Sequence, residues 1–501
     1  MAAAHPDATA WRNLADGSEL SFGDWDARSN QLARGLVAQG LVRGDRMVIA
    51  VGPDEPFPWL IAYTAAHRAG AVAVPVNTRL AGPELRAILT HAEPIAVLAS
   101  ADTNIGVPWA DVSSQLNAPR VVAITTAGHG TLDWSPLFDA DSSPLPGAAD
   151  DDGSMDIMYT SGTTGAPKAV VVRHPDPGPA GRPAAWNGLG FMTSSPFSTT
   201  SGALLVYGPM RGGLSGWYQP RFDPGQWLSV VELQRPVVAF VVPAMAQLIV
   251  AHPDFERADL SSLAALTIGG APITRATLRR LGDRLVRSDI LVGYGLTEFG
   301  AVSRSPSGDQ GRHLGSAGRP LPGVEIRIVD GDGVGLDRGQ VGEITVRGAD
   351  PLREYYKSGA DTQQPWHEGW LHSGDLGYLD DDGFLWITGR TRELIIRGGH
   401  NIVPSEVEEV LYAHPAVVEA VVAGIPHDVL GEDVGAWVVL SEGSDTSATD
   451  LRAFLRERLA DYKVPRQLQI IDRLPRNASG KVVKGELEMT QPTAPSPEAS
   501  R

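Results

Sequence analysis

The chain has 501 residues, 43% of them hydrophobic, and carries 59 Asp and Glu against 42 Lys and Arg, a formal charge of −17. That length exceeds one hydrophobic core and predicts roughly two to four domains, while the acidic balance speaks against nucleic-acid or anionic-membrane surfaces. With no cysteine the chain has no disulfide and no thiolate chemistry of its own, so a thioester product would draw its sulfur from a second substrate.

The N-terminal string MAAAHPDATA lacks the basic region and apolar core of a signal peptide. No apolar run reaches the roughly 18 residues of a membrane span, so the expected compartment is the cytoplasm. From 20 to 125, helical and strand-like patterns alternate. LSFGDWDARSNQLARGLVAQGL reads as an amphipathic helix capped at Ser21 or Asp24. MVIAV, AVAVPVN and IAVLAS are the short apolar runs of buried parallel strands. Such alternation predicts an α/β domain.

After the run 155–158 comes YTSGTTGAPK at 159–168, the most informative string in the chain. Thr160, Ser161, Thr163 and Thr164 supply rotatable hydroxyls, Gly162 permits close backbone approach, and Lys168 adds a cation. Backbone N–H groups, hydroxyls and an ammonium on one short loop grip a polyphosphate. The spacing is not that of a Walker loop, and no Ser or Thr follows the lysine, so magnesium must be held elsewhere. Downstream, prolines at 175, 177, 179 and 183 forbid a long helix over 174–187.

A second α/β round follows: VVAFVVPA, a helical DLSSLAAL, the strand LTIGGAPI and an Arg-dotted helix over 274–287. Its arginines (Arg275, Arg279, Arg280, Arg284, Arg287) read as a solvated face, with a coenzyme-phosphate contact as the minority reading. From 320 to 388 the pattern turns β-rich, with VEIRIVD, GEITVRG and GYLDDDGFLWITG. Beyond Gly389, ELIIRGGHNIVP, the helix SEVEEVLYAH, the strands AVVEAVVAGIP and GAWVVL and the helix DLRAFLRERL compose an α+β unit. The expected organisation is a large domain over 1–388, containing two α/β sheet layers and a small β-barrel-like part, a small mobile α+β domain over 389–488, and a Pro/Ser-rich disordered tail over 489–501.

Together these strings resemble the adenylate-forming superfamily, which includes acyl-CoA synthetases, peptide-synthetase adenylation domains and beetle luciferases. The resemblance extends over about residues 20–485, and its branch is that of fatty-acid- or aryl-CoA ligases. It makes 159–168 the family's phosphate loop, with Ala169 where the family carries glycine. Gly293-Tyr294-Gly295-Leu296-Thr297-Glu298 is similar to its YGxTE motif. The resemblance then implies that Thr297 touches the α-phosphate and Glu298 holds magnesium, a metal suited to one or two carboxylates plus phosphate oxygens.

His372-Ser373-Gly374-Asp375 is similar to the motif whose aspartate accepts both ribose hydroxyls, and an acceptor-only carboxylate suits a vicinal diol. The resemblance implies a second ribose contact at Arg390, a hinge at Arg392, and an adenine-stacking segment at Gly269, Gly270, Ala271 and Pro272. PRNASGK at 475–481 resembles the terminal lysine motif, so Lys481 would bridge carboxylate and α-phosphate as charge builds. On the opposite face of the small domain, RGGHNI at 397–402 (Arg397, Gly398, Gly399, His400) would line the tunnel of a pantetheine thiol. Thr199 stands where the family has a gating histidine, in PFSTTSG at 196–202.

A carboxylate is a poor electrophile, so transfer of AMP from ATP would first make a mixed anhydride, which a thiol then attacks, and rotation of the small domain lets one cleft serve both steps. The acyl pocket is assigned to Phe197, Ser198, Thr199, Trp217, Phe240, Gly269 and Phe299. Small residues beside aromatics suggest an apolar acid of some bulk, aryl or polycyclic. The expected reaction is therefore ATP-dependent formation of an acyl-CoA, with ATP, Mg2+ and coenzyme A. The alternative is a partial adenylate former that thioesterifies a supplied acyl adenylate or loads an acyl carrier protein. A non-catalytic nucleotide-binding protein is a third class, and a homodimer is admitted as an assembly.

Overall fold

The computed structural model describes residues 1–101, 121–124, 133–145, 154–160, 168–174, 185–306, 308, 313–348, 353–357, 366–476 and 482–487. The chain clusters into two compact units. One comprises Met1–Pro272, Leu281–Ile326 and Val346–Leu371, and the other Ile273–Arg280, Arg327–Thr345 and the chain from His372 onward. The expected tail 489–501 and the proline-rich 175–184 lie outside the described residues.

In the first unit the helix Phe22–Ala38 starts where the sequence places a cap: Ser21 Oγ accepts Asp24 N at 3.0 Å. Its inner face buries Trp25, Leu32, Ala33 and Leu36, each large apolar side chain contributing about 1.5–3 kcal/mol. The three apolar runs form the parallel strands Arg46–Ala50, Val72–Pro75 and Ala96–Ala99. They sit in a sheet ordered Val121–Ile124, Ala96–Ala99, Arg46–Ala50, Val72–Pro75, Ser154–Thr160, Lys168–His174. Alternate residues serve opposite faces. Met47, Ile49, Ala73 and Leu98 join one core, and Val48, Ala50, Val74 and Val97 pack with Leu85, Ile88 and Leu89 of the helix Gly82–Ala92 in another. Burial on both faces is why these strands read as unbroken apolar runs.

A second sheet runs Arg319–Pro320, Gly300–Arg304, Asp289–Leu296, Ala265–Gly269, Val238–Val241, Gly190–Thr193, Ser215–Tyr218, Thr9–Asn13, Glu19–Ser21. Its Trp11 and Tyr218 enter the same core as Leu32, Leu60 and Met47, so the helices Phe22–Ala38 and Pro56–Arg68 lie between the two sheets. The α/β expectation is met. The helix expected over DLSSLAAL, however, does not form. Asp259 Oδ1 accepts Ser261 N at 2.9 Å and Oδ2 accepts Arg235 Nη1 at 2.8 Å. That local turn competes with a helix, and the run passes straight into the strand Ala265–Gly269. The run VVAFVVPA divides between the strand Val238–Val241 and a helix Pro243–Ala251 that begins with proline in its first turn.

A five-stranded sheet follows, ordered Val324–Val329, Gly342–Gly348, Trp370–Leu379, Trp366–His367, with Leu385–Arg390 antiparallel to Trp370–Leu379. The C-terminal part of the second unit has its own sheet, His400–Ile402, Ile395–Arg397, Gly431–Leu440, Val417–His427, with Gln467–Ile470 beside Gly431–Leu440. Val407 and Leu411 of Pro404–Tyr412, and Leu451 and Leu455 of Ala448–Arg456, bury against its Ala420, Val422, Ala436 and Val438. This is the α+β unit expected beyond Gly389. Among the described residues no helix is long and apolar enough to cross a membrane.

Candidate functional site

The strands Ser154–Thr160 and Lys168–His174 are antiparallel neighbours, with Thr160 opposite Lys168. The phosphate-loop string is therefore the connection of a hairpin, and its two ends are register partners. Ser161, Gly162, Thr163 and Thr164 lie outside the described residues. Tyr159, just before the loop, is held from the side: its hydroxyl is 2.8 Å from His91 Nδ1. Lys357 Nζ donates to His91 O at 2.8 Å and pairs with Glu93 at 2.8 Å. Burial, and then the Lys357 ammonium, push the His91 pKa below its ordinary value.

Gly269, at the carboxyl end of Ala265–Gly269, pairs with Gly293 within the parallel strand Asp289–Leu296, toward the end of an open α/β sheet where ligands gather. Gly270 then adopts φ +90°, a conformation that favours glycine, and Ala271 and Pro272 are exposed. Asp289–Leu296 turns back on Gly300–Arg304, pairing Tyr294 with Ser303 and Gly295 with Ala301. A Cβ on Gly295 would lie 2.6 Å from Gly300 O, so the two strands approach this closely only because residue 295 lacks a side chain. Thr297, Glu298 and Phe299 form the tip of this hairpin. Thr297 Oγ1 is 2.9 Å from Thr200 Oγ1, at the start of the helix Thr200–Arg211.

Two residues that the motif reading missed tie these hairpins together. Arg353 Nη1 donates to Thr297 O at 2.7 Å, and the Tyr355 hydroxyl donates to Glu298 Oε1 at 3.2 Å. The Tyr355 ring lies 5.2 Å from Lys168 Nζ. Nothing in the string REYYK announces this, because Tyr355 and Glu298 are 57 residues apart. Glu298 is a half-buried carboxylate. Among the described residues no group of three or more His, Asp or Glu could cage a metal. A lone carboxylate fits magnesium that takes most of its ligands from phosphate oxygens, so the donor set here suits a metal arriving with a nucleotide.

In the second unit Asp375 and Arg390 are register partners on antiparallel strands, with Arg390 Nε 3.0 Å from Asp375 Oδ1. Asp375 is buried and Arg390 half exposed. Glu343, also missed, holds the strand segment before Asp375: Oε1 accepts Gly374 N at 2.9 Å and Oε2 lies 2.9 Å from His372 Nδ1. Gly374 has φ +71°, which lets the chain present that N–H to Glu343. Arg392 lies in the exposed 3-10 turn Thr391–Glu393.

Arg397 points into the small sheet. Its Nε is 2.6 Å from Asp433 Oδ1 and its Nη1 donates to Tyr462 O at 3.1 Å, with the side chain only 8% exposed. Gly398 and Gly399 both have positive φ, and His400 is exposed and stacked on Tyr462 at 4.6 Å. Lys481 lies outside the described residues.

The seven acyl-pocket residues do not all meet. Phe240 lies beside Gly269, whose Cβ would be 3.9 Å from the ring. Phe299 faces Trp366 at 6.4 Å and Gly348. Phe197, 4% exposed, is enclosed by Trp11 at 5.1 Å, Trp59 at 5.2 Å and Tyr218 at 4.4 Å. Trp217 is buried under Arg12 at 5.2 Å and against Gly190. Ser198 is half-buried in the turn before Thr199. Thr199 caps the helix Thr200–Arg211, accepting Gly202 N at 3.0 Å and donating to Pro196 O at 2.8 Å.

Residues 1–356 match the AMP-binding enzyme family and residues 406–481 match the AMP-binding enzyme C-terminal domain. The chain is 34% identical over 496 residues to a feruloyl-CoA synthase of Amycolatopsis sp, covering 96% of each. It is 33% identical over 491 residues to the fatty acid–[acyl-carrier-protein] ligase ScoC of Streptomyces coeruleorubidus, covering 95% of this chain and 92% of the relative. Among solved structures it is similar to ATP-bound MatB from Rhodopseudomonas palustris, with a TM-score of 0.83, 28% identity, and coverage of 96% and 95%.

Proposed function

The chain belongs to the AMP-binding enzyme family, as an AMP-forming acid–thiol ligase, and on that premise we propose that it activates an apolar, aryl or polycyclic carboxylic acid with ATP and transfers the acyl group to coenzyme A. One observation carries the reading. Lys168, at the mouth of the phosphate loop, and Glu298, at the strand-end hairpin, flank one tyrosine ring, 5.2 Å from Nζ to the ring centre and 3.2 Å from hydroxyl to carboxylate. A cation for phosphate oxygens and a carboxylate for the phosphates' metal are thus held near each other without neutralising each other.

Lys168 and the backbone of the loop bind the β- and γ-phosphates. Thr297, steadied by Thr200, donates to the α-phosphate, and Asp375 accepts the ribose hydroxyls beside Arg390. Gly269, Gly270, Ala271 and Pro272 flank the adenine, with Gly293, Tyr294 and Gly295 on the neighbouring strand. Glu298, together with the nucleotide's phosphates, would hold magnesium, which would supply charge neutralisation at the leaving pyrophosphate. Lys481 brings the acid's carboxylate to the α-phosphorus by offsetting the repulsion of two anions. The oxygen–phosphorus bond forms as the bond to pyrophosphate breaks, and the thiol then displaces AMP. Gly398, Gly399 and His400 leave room for the pantetheine arm, and residues 389–488 turn about Arg392 between the two steps.

Of the residues assigned to the acyl pocket, Phe240 and Gly269 lie side by side, and Phe299 is a third residue without a polar side-chain atom. This supports an apolar acid, and the likeness to a feruloyl-CoA synthase supports an aryl one. The likeness to ScoC supports a second reading, in which the accepting thiol belongs to an acyl carrier protein.

The test is pyrophosphate release with ATP and a panel of aryl, polycyclic and fatty acids, followed by thioester formation with coenzyme A or a phosphopantetheinylated carrier protein. Release with an aryl or polycyclic acid and thioester on coenzyme A is expected. Thioester on the carrier protein alone would establish the second reading. No release with any acid, yet thioester from a supplied acyl adenylate, would sink the first.

A further inference from the structure

The family motifs give roles to Lys168, Thr297 and Glu298 but none to Tyr355, which touches two of the three. We propose that Tyr355 is a positioning residue: it sets the Glu298 carboxylate for the metal–nucleotide complex and couples that carboxylate to the phosphate-loop lysine. This rests on the nucleotide-activating reading above.

The backbone around Tyr355 is clamped on both sides. Val171 N donates to Glu354 O at 2.8 Å and Tyr356 N donates to Ala169 O at 2.8 Å, so 354–356 lies along the strand that leaves the phosphate loop. Val170 and Tyr355 form a bridge there. From the same short segment Arg353 reaches Thr297 O at 2.7 Å. One stretch of chain therefore gauges the distance between the phosphate-loop hairpin and the hairpin that carries Thr297 and Glu298.

The chemistry of the ring suits that place. A phenol is a neutral donor, so it can orient a carboxylate without cancelling the charge that a divalent cation needs. The ring's face accepts the Lys168 ammonium. A direct lysine–glutamate pair would instead occupy both groups with each other.

A purely packing role predicts that the hydroxyl is dispensable, and Tyr355→Phe separates the two cases because it keeps the ring. The measurement is calorimetric ATP binding to the full chain across a magnesium titration, with thermal midpoints alongside. The Phe variant is expected to need on the order of tenfold more magnesium for half-maximal binding, with an unchanged thermal midpoint and unchanged ATP affinity in chelator. An unchanged magnesium midpoint would overturn the proposal. Tyr355→Leu, which also removes the ring face, is expected to weaken metal-free ATP binding about twofold to fivefold through Lys168. No weakening there would remove the coupling half of the proposal. If Tyr355→Leu does not fold, Tyr355→Met, which also lacks the ring face, decides the coupling half in its place, and Tyr355→Phe decides the magnesium half. A wild-type chain without magnesium-dependent ATP binding would instead sink the nucleotide reading, and this inference with it.

Discussion

Asp375 and Arg390 face each other across two antiparallel strands, the guanidinium Nε 3.0 Å from a carboxylate that is only 4% exposed. A carboxylate this buried needs charge-assisted partners, and Arg390, half in solvent, supplies one from the rim. Asp375→Asn is expected to raise the Kd for ATP by about 10- to 100-fold, because the ribose hydroxyls lose an ionised acceptor. The half-exposed Arg390 costs little when unpaired, about 0–1 kcal/mol of stability. Calorimetric titration with ATP and a thermal melt test both halves, and a variant that binds ATP like wild type would remove Asp375 from the site.

Gly295→Ala tests the geometry of the second hairpin. The new methyl would meet Gly300 O at 2.6 Å, and that oxygen belongs to the backbone of the partner strand. The strands must splay, at a cost of about 1–3 kcal/mol, and Thr297 and Glu298 move with them. Pyrophosphate release is expected to fall more steeply than the melting temperature. Full activity with an unchanged melt would show that the hairpin yields freely.

Phe197 separates core from pocket. Its ring contacts Trp11, Trp59 and Tyr218, so Phe197→Ala is expected to destabilise the chain by about 3–5 kcal/mol. Phe197→Leu is expected to lower stability by less while leaving the KM for the acid unchanged. A shifted acid preference in the Leu variant would return Phe197 to the pocket.

The His91 contact makes the phosphate-loop hairpin sensitive to acid. Its folded pKa lies below the ordinary 6.5, from burial first and the Lys357 charge second. The unfolded chain therefore binds that proton more readily, so the stability contributed by neutral His91 is complete above pH 6.5 and lost as pH falls through the folded value. The melting-temperature gap between wild type and His91→Gln is expected to be wider near pH 8 than near pH 5.5. A gap independent of pH would contradict this.

The helix Phe22–Ala38 with its Ser21 cap, the three parallel strands and the C-terminal α+β unit were all legible, because capping and period-2 or period-3.6 burial act within a few residues. Where the helix expected over DLSSLAAL failed, a local competitor won: Asp259 takes the Ser261 N–H and an arginine from elsewhere.

For the site, the sequence by itself determined the kinds of group available: hydroxyls, glycines and a lysine in one loop, and the motif residues Thr297, Glu298 and Asp375. Tertiary structure decided which of them work together. RGGHNI shows an arginine next to two glycines, but only the fold commits Arg397 to Asp433, 36 residues away, and leaves the glycines and His400 at the edge. PFSTTSG shows an aromatic near a gate, but only the packing of Trp11, Trp59 and Tyr218 draws Phe197 into the core. The Lys168–Tyr355–Glu298 contacts depend on how the Lys168–His174 strand registers against 354–356. Local patterns encode which backbone forms and which face turns inward, whereas a contact between residues far apart in the chain exists only once strands have chosen partners.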